Sequence, residues 1–144
     1  MDSKLLTKDY TSIKRKKEDN NSSFFIEFIC KLEGWKTTCN NLHWAAPTRS
    51  IHIYLDDLLV VLSTYQDALA EGYMGILGQM NPNIIKSIPS NKMDALSFID
   101  EVKDGTLKFY DNIPASTIYK GITSECETFI QQINKYKYLF DLCF

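Results

Sequence analysis

The stretch HWAAPTRSIHIYLDDLLVVLSTYQDALAE, residues 43–71, decides the fold. Pro47 cannot continue a helix that reaches Trp44, and Thr48 or Ser50 is suited to cap the next one. From Arg49 onward, Ile51, Leu55, Leu58, Leu59, Leu62, Leu69 and Tyr73 recur at helical spacing. Strand alternation fails, because residues 58–62 form a continuous apolar run followed by polar residues at helical steps. The pattern predicts a long helix over 49–73 or beyond, with Gly72 and Gly75 marking its fraying or its end.

The polar residues of the same stretch carry the chemistry. His52 and Asp56 lie one helical turn apart, and so do Asp67 and Glu71. Asp56 and Asp67 are separated by eleven residues, close to three turns, so all four point within an arc of roughly 100 degrees. Along a straight helix, however, those two aspartates are about 16 Å apart, too far for one metal ion to bridge. Two copies of the helix packed antiparallel about a two-fold axis, passing near Leu62 and Ser63, would remove the difficulty. His52 and Asp56 of one chain would then face Asp67 and Glu71 of the other, giving two equivalent sites per dimer. His43, at the end of the preceding helix, can add a second imidazole. Such a donor set suits iron, manganese or zinc better than a metal that prefers thiolate. Asp57 points about 100 degrees away from Asp56 and stays outside the set. Taken singly, each pair also fits an ordinary solvated helix face.

Working outward, Phe28, Leu32, Trp35, Cys39 and Leu42 form one apolar stripe and predict a first helix beginning near residues 22–24, with Gly34 inside it. Downstream, residues 78–90, with Pro82 and Pro89, read as a connector. A third helix is expected over 91–110, burying Met93, Leu96, Ile99, Val102 and Phe109, with Asp94 favouring its N-terminal turn. Pro114 breaks the chain, and a fourth helix from about residue 116 carries Ile118, Ile122, Cys126, Phe129, Ile130, Ile133 and Leu139. Four helices without a credible strand make an all-α bundle. A 25-residue helix is about 37 Å long. Fifteen extended residues, 76–90, span about 50 Å. Short antiparallel links and one long crossover therefore both fit.

At 144 residues and 16.6 kDa the chain supports one domain with a substantial core. Its composition, 44% apolar and 24% charged, excludes a disordered or collagen-like chain. No run of eighteen apolar residues predicts a membrane span, and the N-terminal charges have no apolar core behind them, so no secretion signal is expected. Residues 1–20 read as a basic, flexible arm of net charge +2, leaving –4 on the expected helical domain, residues 21–144. With –2 overall, DNA binding should be weak or absent. Cys30, Cys39, Cys126 and Cys143 make no paired metal motif and read as reduced thiols, which favours a cytoplasmic setting.

His43-Trp44, then His52-x-x-x-Asp56, then Asp67-x-x-x-Glu71, together with the 36–44 segment, resembles the ferroxidase signature of the Dps mini-ferritins, the DNA-protection proteins of starved cells. The resemblance implies an all-α, ferritin-like four-helix bundle with a crossover between the second and third helices. It further implies a homodimer and a dodecameric cage. Ferrous iron would be oxidised by oxygen or hydrogen peroxide at a di-iron-type site and stored as ferric mineral, limiting peroxide damage; Mn2+ or Zn2+ would fit the same ligands. His43, His52 and Asp56 would come from one chain and Asp67 and Glu71 from the next, with His52, Asp56, Asp67 and Glu71 carrying the oxidation and Trp44 beside the site. The alternative is a ferritin-like structural or interaction protein, of a phage or another large assembly, whose metal site is reduced or lost.

Overall fold

The computed structural model describes the backbone of residues 3–144 and the side chains of residues 23–144. Four helices follow one another: α1 (Ser3–Trp44), α2 (Arg49–Leu77), α3 (Ala95–Asp111) and α4 (Lys120–Leu142). Short 3-10 turns lie at Pro82–Ile84 and Thr117–Tyr119. No strand occurs among the described residues. The range of α1 opens ahead of the start expected near 22–24, and the side chains of the basic arm, residues 1–20, lie outside the described ones.

Helix ends follow local chemistry. Thr48 caps α2, its hydroxyl oxygen accepting from the Ile51 amide at 3.2 Å. The expected fraying at Gly72 and Gly75 does not occur; α2 runs on to Leu77 and stops at Gly78, whose φ of 94° leaves the helical region that a side chain would favour. Asp94 is the cap of α3 rather than a residue inside it, so α3 begins four residues later than expected. Met93 consequently precedes the helix and is 87% exposed instead of buried. Ile118 likewise falls in the 3-10 turn before α4 and is exposed. The remaining apolar positions of the four stripes pack together or against the shared core.

Aromatic rings dominate that core. Phe28 stacks on Phe109 at 4.0 Å, and Tyr65 on Phe129 at 4.0 Å. The cross-helix pairs also set the helix directions. Tyr54 meets Phe140 and Tyr65 meets Phe129, so α2 runs antiparallel to α4. Lys137 pairs with Asp100 at 2.9 Å and Tyr110 donates to Glu127 at 3.1 Å, so α3 is antiparallel to α4 as well. Helices α2 and α3 are therefore parallel, and the connector between them returns along the bundle.

That connector is pinned to α1. The Ile88 amide donates to the Cys30 carbonyl at 3.2 Å, and the Lys86 amide donates to Cys30 Sγ at 3.3 Å. Gly34 makes the contact possible, because a Cβ there would collide with the Ile88 carbonyl. The isolated glycine in an otherwise regular helix is a point of close backbone approach.

Candidate functional site

The turn between α1 and α2 brings His43 against His52. Their rings stack with centroids 3.9 Å apart and planes 23° from parallel. Each ring bonds the backbone of the other: His43 Nδ1 lies 2.9 Å from the His52 carbonyl oxygen, and His52 Nδ1 lies 2.9 Å from that of His43. A carbonyl oxygen can only accept, so both Nδ1 atoms carry the proton and donate. In the neutral rings both Nε2 atoms are then left as acceptors. Protein imidazoles that bind metals are oriented in this way, by donating the other nitrogen's proton to a carbonyl or carboxylate. His43 Nε2 also lies 4.0 Å from Asp56 Oδ1. The His43 side chain is 14% exposed and that of Asp56 65%. His43, His52 and Asp56 thus form a connected cluster at the N-terminal end of α2.

Asp67 and Glu71 do not join it. Both are exposed residues further down the same helix. Among the described residues of one chain, no group of three or more His, Cys, Asp or Glu side chains is placed to hold a metal ion. The rise of the helix accounts for that separation. Trp44 is 71% exposed.

Of the two axis positions expected, Leu62 and Ser63, Leu62 needs correction. Leu62 is fully buried in the chain's own core. At 100 degrees per residue it lies well off the arc shared by His52, Asp56, Asp67 and Glu71. Ser63 lies within that arc, and so does Val60, which is 63% exposed. Any contact through this face centres on Val60 and Ser63.

A polar network beside Asp67 has no counterpart in the sequence reading. Lys36 Nζ bonds Gln66 Oε1 at 2.9 Å and Glu33 Oε2 at 3.3 Å, while Gln66 Nε2 donates to Glu33 at 2.8 Å. The Gln66 bond, helped by the Lys36 charge against the effect of burial, holds the Glu33 carboxyl below its ordinary range. These residues line a groove of about 550 Å³ between α1 and α2, together with Ser63, Asp67 and Ala70. Glu33 and Lys36 are spaced for a helical ion pair, but nothing local in the sequence brings Gln66 to them.

The fold and site define a four-helix bundle with an imidazole–carboxylate cluster where the end of α1 meets the start of α2. No family model, curated protein or solved structure matches the chain.

Proposed function

We propose that the chain is a ferritin-like structural or interaction protein that assembles by pairing α2 with α2 of a second copy. The observation that carries this reading is the outward face of α2. Val60 stands exposed at its centre, on the edge of an apolar groove between α2 and α4 that Val61, Ala68 and Phe129 also line. Antiparallel pairing would set Val60 of each chain against the other's groove, and the histidine end of each helix against the acidic end of the other. The parallel course of α2 and α3 supports the ferritin-like topology, since it calls for one long crossover, as in ferritin-like bundles. Assembly into a cage or as part of a phage particle is the larger-scale form of the same proposal. A glutamate in place of Val60 tests it: the variant should keep its helical content and lose the dimer, as read by solution mass.

The histidine cluster favours a second reading, in which the paired face binds and oxidises ferrous iron. The donor set fits a borderline metal, with two imidazole nitrogens free at Nε2 and a carboxylate at hand. His43, His52 and Asp56 would hold the ion from one side, and the partner's Asp67 and Glu71 from the other. Iron here is the substrate. Each ferrous ion gives up one electron, so one hydrogen peroxide takes two electrons and two protons and leaves as two waters. The chain's part is to hold the ligands in place and to favour the ferric charge with carboxylates. Mixing chains that carry His52→Ala/Asp56→Ala with chains that carry Asp67→Ala/Glu71→Ala should restore one intact site per mixed dimer. Iron oxidation should return in the mixture and be absent from either parent; verified mixed dimers without activity would remove this reading.

A further inference from the structure

The outward stripe of α2 is symmetric about its own centre. Arg49, Ile53, Asp56, Val60, Thr64, Asp67 and Glu71 are all exposed and follow one another at steps of three or four residues. At 100 degrees per residue, Arg49 and Glu71 lie about 20 degrees to either side of Val60. Reversing the stripe about Val60 maps it onto itself, Arg49 onto Glu71, Ile53 onto Asp67 and Asp56 onto Thr64. A two-fold axis at Val60 therefore sets each member of the stripe against a member of the partner's stripe.

Charge separates this register from the other ways of pairing. Arg49 is the single arginine of α2, which has no lysine. Among the described residues its side chain makes no ion pair or hydrogen bond, and neither does that of Glu71. Arg49 also stands at the first residue of the helix, where the helix dipole disfavours a cation. Parallel pairing would set Arg49 against the partner's Arg49 and acidic half against acidic half. The antiparallel register that sets His52 against the partner's Glu71 also sets Asp56 against the partner's Asp67, carboxylate on carboxylate. Sliding the partner by three residues, about 4.5 Å, centres the pair on Val60 instead. Arg49 then meets the partner's Glu71 at both ends of a seam about 33 Å long. Asp56 meets the partner's Thr64, whose hydroxyl can donate to it. Ile53 meets the partner's Asp67, which lies one turn from Glu71 and so beside the same guanidinium. The two Val60 side chains meet at the axis, each at the edge of the other's groove.

We infer that the second copy docks on α2 antiparallel, about an axis at Val60, in a register set by two equivalent ion pairs between Arg49 and the partner's Glu71. This inference rests on the α2 pairing proposed above and adds what fixes its direction and register. Apolar contact at Val60 supplies attraction without direction, and the charges reject the misaligned alternatives.

Sedimentation velocity on the intact chain, over a range of concentrations, tests this with two charge reversals at exposed positions, Arg49→Glu and Glu71→Arg. Each alone sets like charges together at both ends of the seam, so its dimer dissociation constant should rise about tenfold or more. The double variant Arg49→Glu/Glu71→Arg has the net charge of the natural chain and restores both pairs with their signs exchanged. It should dimerise about as tightly as the natural chain. Within one chain the two positions are too far apart to interact, so recovery reports contact between chains. Circular dichroism should show the natural helical content in all three variants. A natural dimer that either single reversal leaves equally tight would overturn the register and leave α2 pairing standing. So would a double variant no tighter than the single ones. A natural chain that stays monomeric at every concentration would overturn the pairing itself.

Discussion

Asp94 opens α3 with both carboxylate oxygens engaged. One accepts from the Ser97 amide at 2.8 Å and the other from the Ser97 hydroxyl at 2.9 Å. The backbone bond is the main reason its carboxyl sits below the ordinary range. The sign follows: a carboxyl lowered by folding stabilises fully at neutral pH, and that contribution is lost as pH falls through the lowered value. Asp94→Ala should cost about 1 kcal/mol at pH 7, the usual worth of such a cap, and less in acid. Asp94→Asn keeps a competent cap and should lose the part of the acid dependence that Asp94 contributes, Glu33 keeping its own. Thermal melts from pH 7 down to pH 3 check both. The sequence marked Asp94 as helix-favouring but placed it inside the helix, because the stop between connector and helix depends on the connector's path. The histidine pair was half legible in the same way. Its members were identifiable as nitrogen donors, but their reciprocal bonds require a tight turn, and the spacing of 43 and 52 alone does not reveal it. Cys39 and Cys126 are readable as buried thiols; burial pushes them up to about 12 and about 11, which leaves both as neutral core groups at physiological pH.

The helices themselves were the most legible elements, because their apolar stripes are long and each faces the core. Connections carried weaker signals. Gly34 illustrates the reason. Inside a helical pattern it reads as a small cost in propensity, roughly 1 kcal/mol against alanine. In the folded chain it is the seat of a strap, with Ile88 laid across it and bonded to Cys30. An alanine there gains helix propensity and loses the strap's seat. Gly34→Ala should therefore destabilise the protein, by about 1–3 kcal/mol if the segment shifts as an overpacked contact does. Amide exchange should show the effect concentrated in residues 84–92. A variant with unchanged or raised stability, and unchanged exchange there, would contradict the strap. Gly105 stands in the same relation to Trp35, whose ring would lie 2.7 Å from an added Cβ. That ring is fixed by its Nε1 donating to Glu101 at 3.1 Å. Both glycines are explained by contacts more than fifty residues away in sequence, which no local pattern encodes.

At the scale of the whole molecule, the described residues build a four-helix bundle in which no helix is long and apolar enough to cross a membrane. Its directions, α2 and α3 parallel to each other and both antiparallel to α4, choose the crossover over the short links that length arithmetic left open. The sequence placed Asp56 and Asp67 on one helical face and too far apart for one ion, and the fold keeps them so. It put the centre of that face at Leu62 and Ser63; an axial midpoint ignores helical phase, which keeps Ser63 and replaces Leu62 with Val60. The central claim is that this face meets a second copy. Sedimentation of the natural chain, of Val60→Glu and of Tyr138→Glu at micromolar concentration tests it most directly. Tyr138 is a comparably exposed apolar side chain on α4, away from the face, and controls for added charge alone. The account predicts dimers or larger species for the natural chain and Tyr138→Glu, and a folded monomer for Val60→Glu. A natural chain that stays monomeric, or a Val60→Glu variant that assembles as the natural chain does, would contradict it.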